Sequence, residues 1–407
     1  MKLFEAGSLW SYRGYRLFWY NTTIFVIGAS AFPIALAVTV LDAGGTATTL
    51  GLILGARVLS AVLFAPFAGV WSDRLPRKQV IIASDLFRAV LVFGMVFISA
   101  PKLPHFLLAA AVFLMGIGDA FGMASAGAIM PSLLPEDKLP AGNVARGIVV
   151  RSATIIGPGI GGVSVFLIGG RLTFLFTAIA FAAGTYFLTQ IKEDINSDKK
   201  AREPFMVEMR EGLRTVWEIS WIGAMIVMAS IQLMVVLAAE NVLLPVITRR
   251  EFGTFTAFAL SAAAFSIGGV ISAIACIKLK IKHQGRFCVL VWMLLVITTL
   301  ALAFPISQSF VVIAYLLAGF SVGPWEAFWN SAIQREVPRE LQGRVFSIDH
   351  MGSAGLMPLG MVLVGPAVTL FGEKEFLIGA SIFHVLICLL VLVVPGVKDM
   401  KMPPKTS

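Results

Sequence analysis

Apolar stretches of about 20 residues recur along the whole chain, each bounded by charge, proline or glycine, and each is long enough to cross a hydrocarbon core of roughly 30 Å as a helix. The stretches are continuous rather than alternating. Lipid requires backbone groups to be paired within the crossing segment, so helices fit and a closed barrel does not. Composition agrees: of 407 residues, 58% are hydrophobic and only 14% charged, against about 25% charged in a soluble domain, and the mean hydropathy is +0.88. The fold class expected is an all-α integral membrane protein.

Punctuation divides the chain into twelve expected spans, at 17–40, 48–71, 79–100, 104–132, 139–169, 172–191, 220–247, 254–277, 287–304, 309–333, 344–369 and 375–395. Of the 32 Lys and Arg, 22 fall in the tails and even-numbered loops and five in the odd-numbered loops. The positive-inside rule then puts both termini in the cytoplasm. The start, "MKLFEAGSLWSYRGYR", runs into the first apolar segment without a clear cleavage site and is expected to be retained. Residues 192–219, the longest hydrophilic stretch, divide an N-terminal six-helix bundle (1–191) from a C-terminal one (220–407). Within that linker, Val207, Leu213, Val216 and Trp217 stand among charges, which suits either an interfacial helix or a solvated connection.

Between spans two and three lies "GVWSDRLPRKQV", a compact group of four charges flanked by apolar sequence. Its Gly69, Asp73, Arg74, Arg77 and Lys78 follow the pattern G-x-x-x-D-R-x-G-R-[KR], with Pro76 in place of the second glycine. A second pattern, G-P-x-x-G-G, is met by Gly157, Pro158, Gly161 and Gly162 in span five. Small residues there let helices approach closely, and an ordinary packing seam would use them equally well. On these motifs the chain resembles the major facilitator superfamily. The segments "GDAFGMASAGAIMPSLLPEDKLPAGN" and "QREVPRELQGRVFS" resemble its branch of macrolide efflux proteins and the enterobactin exporter. An arginine motif, R-x-x-x-G, usual in span four of the antiporters, is not met, since Val112 precedes Gly116 by four residues.

The resemblance implies two six-helix bundles, a substrate cavity between them near the bilayer midplane, and a secondary active exporter of a small amphipathic compound of drug, macrolide or siderophore type. It implies proton antiport by alternating access in a bacterial cytoplasmic (inner) membrane. It also implies that Asp73 faces the start of span eleven near Gly343 while Arg77 reaches Glu136 or Asp137, as a cytoplasmic gate. A lipid or lysophospholipid flippase is the alternative on the same scaffold.

Ionisable residues inside membrane helices cost about 2.5–3.5 kcal/mol on insertion scales, so each is a functional candidate. At 1.5 Å per residue, Arg57, Asp119 and Arg151 each lie about 18 Å from the cytoplasmic end of their helix. They share a level near mid-membrane, where Asp119 could pair with Arg57 or Arg151, as a proton-gated pair or as a permanent structural one. Glu326, in "GPWEAFW" of span ten, and Glu240, in "AAENVLLP" of span seven, could carry a proton or meet a cationic substrate. Asp85 and Arg88, three apart on span three, and Asp349 on span eleven sit nearer the cytoplasmic ends and suit a gate.

The expected partners are a small-molecule substrate, protons and membrane lipid, with a monomer as the working unit. The positive balance belongs to orientation, so nucleic acid is not expected. No cofactor is expected: there is no G-x-x-x-x-G-K-[ST] loop, and His105, His283, His350 and His384 are scattered without metal spacing. Cys276, Cys288 and Cys388 lie in apolar segments without paired spacing, and no nucleophile, base or metal constellation suggests an enzyme.

Overall fold

The computed structural model describes residues 8–98, 105–191, 205–278 and 281–401, with some helical side chains among these left undescribed. The first four spans are Arg13–Asp42, Ala47–Arg74, Arg77–Ile98 and His105–Ala128. Spans five and six form one 51-residue helix, Leu139–Thr189, broken at Gly169, whose φ of 78° and ψ of 162° suit a residue without a Cβ. Unbroken, such a helix would be about 76 Å long, far beyond a bilayer. The break falls where the apolar pattern divides.

Span seven is Ser220–Phe252, and spans eight and nine are Thr256–Lys278 and Gln284–Ala303. Span ten is Gln308–Glu336. Span eleven comprises Arg339–Gly355 and Met357–Phe371, and span twelve is Glu373–Val391. Among the described residues, eleven helices are long and apolar enough to cross a membrane. They include Leu167–Thr189, and the part of the long helix before Gly169 is not among them. This is a multi-pass membrane protein.

The chain forms two compact units, residues 1–45 with 56–202, and residues 46–55 with 203–407. In the first, span one packs along the length of spans five and six. A Cβ at Gly161 would sit 2.9 Å from Ala31 Cα, so the glycine sets how closely these helices meet. Phe25 stacks on Phe181, with centroids 4.5 Å apart, in the same seam.

The second unit has a core of tryptophans. Trp221 meets Trp329 edge-on at 5.7 Å, Trp329 stacks on Trp325 at 5.6 Å, and Trp325 lies 4.9 Å from Trp292. Buried indole N–H groups need acceptors, and Trp292 Nε1 donates to Gln232 while Trp329 Nε1 donates to Asp349. The second part of the linker is a helix, Phe205–Glu218, packed on span eleven, with an ion pair between Glu211 and Arg344. Its Val216 is buried, whereas Leu213 and Trp217 stay exposed, as suits an interfacial helix.

Candidate functional site

Four charges from spans two, three and four form one chain of ion pairs in the first unit. Arg57 Nε donates to Asp119 Oδ2 at 2.8 Å, and Arg88 Nη1 donates to the other oxygen, Oδ1, at 2.9 Å. The Arg88 fork also reaches back to Asp85 Oδ1 through Nη2, and Asn21 of span one donates to Asp85 Oδ2 at 3.2 Å. Two cations and two anions leave the cluster neutral, which meets the main cost of charge inside a membrane.

Local sequence makes this reach possible. In "GIGDAFG" (116–122), a Cβ at Gly118 would sit 2.9 Å from Arg88 Cγ, and one at Gly122 would sit 2.7 Å from Arg88 Nη2. The two glycines therefore form a channel on span four in which the Arg88 side chain lies. Its guanidinium carbon stands 4.3 Å from the Phe25 ring centroid, a cation–π contact that holds it in place. Gly116 does the same for span two: a Cβ there would fall 2.1 Å from the Arg57 carbonyl oxygen. Backbone cannot yield as a side chain can, so Gly116→Ala is expected to destabilise the protein by about 1–3 kcal/mol. Chemical unfolding in detergent measures it; an unchanged midpoint would show that spans two and four do not need this contact.

The cluster has an inner and an outer end. Side chains of Arg88 and Asp85 are 4% and 3% exposed, those of Arg57 and Asp119 23% and 17%. On the flank of spans three and four, a groove of about 540 Å³ is lined mainly by Leu75, Val80, Phe87, Ile117 and Phe121, with Ser84 and Gly118 in its wall. Its surface suits hydrocarbon.

Of the residues singled out from sequence, Arg57 and Asp119 are brought together. The Asp119–Arg57 pairing is the one observed; the Arg151 side chain lies outside the described residues. Asp85 and Arg88 belong to the same cluster. An arginine side chain spans more than a helical turn, so the depth of its Cα understates its reach.

The basic residues between spans two and three act within the first unit. Arg77 Nη1 donates to the Ala128 carbonyl at 2.7 Å, and Lys78 Nζ to the carbonyls of Thr189 and Ile191 at 3.1 and 2.6 Å. These carbonyls end spans four and six, where the last turn has no amide partners and cations are favoured. Arg77 was expected at Glu136 or Asp137; Asp137 instead lies 3.4 Å from Lys138. Arg74 is exposed, and a Cβ at Gly69 would meet open space. The side chain of Asp73 and the surroundings of Gly157, Pro158 and Gly162 lie outside the described residues, as do the side chains of Glu136 and Glu326.

Phe328 and Trp329, which flank Glu326, are core residues of the second unit, 8% and 3% exposed. Asp349 accepts from Trp329 Nε1 at 2.8 Å and from Ser353 Oγ at 3.2 Å. Glu240 is buried, and its Oε1 is in hydrogen-bond contact with Thr298 Oγ1. Sequence reasoning missed Asn21, whose signal would have been a lone amide in an apolar span, and Thr298, one of many hydroxyls in these helices.

The chain resembles known proteins over nearly its full length. It is 26% identical over 388 residues to the multidrug efflux pump Tap of Mycolicibacterium fortuitum, covering 90% of this chain and 92% of that protein. It is 22% identical over 367 residues to macrolide efflux protein A of Streptococcus pyogenes, covering 88% and 90%. A crystal structure of a mutant of the nucleoside transporter NupG superposes with a TM-score of 0.74 at 12% identity, covering 93% of this chain and 99% of that one, a likeness of fold alone. Residues 18–361 match the family model described as Major Facilitator Superfamily. With helices, motif and most of its length in agreement, the chain belongs to the Major Facilitator Superfamily.

Proposed function

We propose that the protein is a secondary active exporter that moves small amphipathic drugs, macrolides among them, out of the bacterial cytoplasm in exchange for protons. The observation that carries the reading is the full-length similarity to proteins named as multidrug and macrolide efflux pumps. The ion-pair cluster supports the coupling. A proton on Asp119 removes one of two negative charges, leaving Arg57 and Arg88 opposed by Asp85 alone. The cluster then carries a net positive charge, and Arg57, its most exposed member, loses the charge that held it. Release of Arg57 is the step by which proton binding alters the unit, and loss of the proton restores the pair.

In this reading the protein sits in the cytoplasmic membrane with both termini inside, works by alternating access, and catalyses no covalent chemistry. The apolar groove on spans three and four suits the hydrocarbon part of an amphipathic substrate. Proteoliposomes containing the purified protein are expected to show macrolide-dependent proton movement. Drug efflux that continues unchanged after both the pH gradient and the membrane potential are collapsed would overturn proton coupling.

A further inference from the structure

In the second unit, two departures from regular α-helix flank one acid. Span seven widens into a π-helix at Leu233–Leu237, just before Glu240. Span nine tightens into a 3-10 turn at Met293–Leu295, just before Thr298. Glu240 is 6% exposed and Thr298 fully buried. Thr298 Oγ1 is in hydrogen-bond contact with Glu240 Oε1 and lies 2.6 Å from the Leu295 carbonyl oxygen. The Tyr315 hydroxyl, from span ten, is buried and has no hydrogen-bond partner among the described residues.

A threonine hydroxyl has one hydrogen to donate. Two acceptor oxygens meet it here, so one of the two oxygen pairs lacks a hydrogen if Glu240 is ionised. A proton on Glu240 completes the set: the acid donates to Thr298 and Thr298 donates to the Leu295 carbonyl. Charge favours the same answer. Span eight, the later part of span nine and Met357–Phe371 pack against the Glu240 segment. Their sequences hold no Asp, Glu, His, Arg or Lys except Lys278, the last residue of span eight. Arg249 and Arg250 are more than two turns away on the same helix, and Arg250 is paired with Glu373 and Glu251. His384 of span twelve lies 3.1 Å from the Trp292 carbonyl instead. An ionised Glu240 would be a buried anion with no cation beside it among the described residues.

We propose that Glu240 is a proton-binding site besides Asp119, a neutral carboxylic acid that donates to Thr298, which in turn donates to the Leu295 carbonyl, and that its proton is exchanged for drug together with the one bound at Asp119. The second clause alone rests on the antiport reading above.

Infrared spectroscopy of the purified full-length protein at neutral pH in deuterated buffer tests the site. The carbonyl band of a protonated carboxyl group is expected, lost in Glu240→Gln and displaced in Thr298→Val. Glutamine keeps the shape of the acid and a donor towards Thr298, so the variant is expected to unfold at the temperature of the parent. Glu240→Asp provides a second carboxyl variant with a band of altered frequency. Absence of the band, or its persistence unchanged in Glu240→Gln, overturns the site. Its loss on addition of sodium chloride at fixed pH also does, by making the occupant a metal cation. Macrolide-driven proton flux in proteoliposomes separates the two claims. Flux is expected to fall to background in Glu240→Gln; flux retained there overturns the assignment of the exchanged proton. If parent and variant both lack flux while the band is present, the antiport reading fails and the proton site stands.

Discussion

Asp119→Asn is expected to reduce macrolide efflux to background, measured as drug accumulation in cells producing the variant. Asparagine preserves the size of the side chain and can still accept a hydrogen bond, but it fixes the cluster in the charge state of the protonated acid. Arg57 and Arg88 are then opposed by Asp85 alone, whatever the pH. Removing one partner of a buried pair costs about 3–5 kcal/mol, and less here because the Asp119 side chain is 17% exposed. Some loss of folded protein therefore accompanies the loss of transport, and a second variant separates them. Asp119→Asn combined with Arg57→Gln restores neutrality, and is expected to recover the amount of folded protein in the membrane without recovering efflux. Recovery of both would assign the cluster to charge balance alone.

Removal of Arg88 is expected to have the largest effect on stability. Its guanidinium serves two carboxylates and a backbone carbonyl while packed against Phe25. Arg88→Leu leaves Asp85 buried with Asn21 as its remaining polar partner among the described residues, at a cost of about 3–5 kcal/mol. Arg88→Lys should fall between, because an ammonium is a point charge and cannot offer a planar fork to two carboxylates. Arg88→Leu with Asp85→Asn removes both buried charges and is expected to recover a large part of the loss. Unfolding in detergent, followed by tryptophan fluorescence, measures all three. Equal stability of Arg88→Leu and the parent would show that the pairs break even against their desolvation.

The architecture was legible because lipid leaves few alternatives. Long apolar runs in a chain with 14% charged residues permit little besides helices, and proline, glycine and charge mark their ends. The expected division after residue 169 coincides with the backbone break at Gly169. Arg57 and Asp119 were found by depth, since helical rise converts residue number into height. Arg88 was placed apart from Asp119 for the same reason: its Cα is closer to the cytoplasmic end, but a long side chain lying over Gly118 and Gly122 carries its charge to Asp119. Those glycines read as a packing seam, and sequence does not reveal which side chain uses the space. The capping of spans four and six by Arg77 and Lys78 was hidden because it depends on which helix ends are neighbours. The π and 3-10 turns near Glu240 and Thr298 have no compositional signature, so the proximity of these residues could not be read in advance.

The pairing of Arg57 with Asp119 also bears on how the protein is made. The two residues are 62 positions apart, so at about 5–20 residues per second the ribosome adds the aspartate roughly 3–12 seconds after the arginine. Span three enters the bilayer with its own acid and base three residues apart. Span two has no acid that close to Arg57 in sequence, so its arginine lacks Asp119 until span four emerges. The Arg57–Asp119 pair is therefore among the contacts of the first unit that form only after its fourth span has been made.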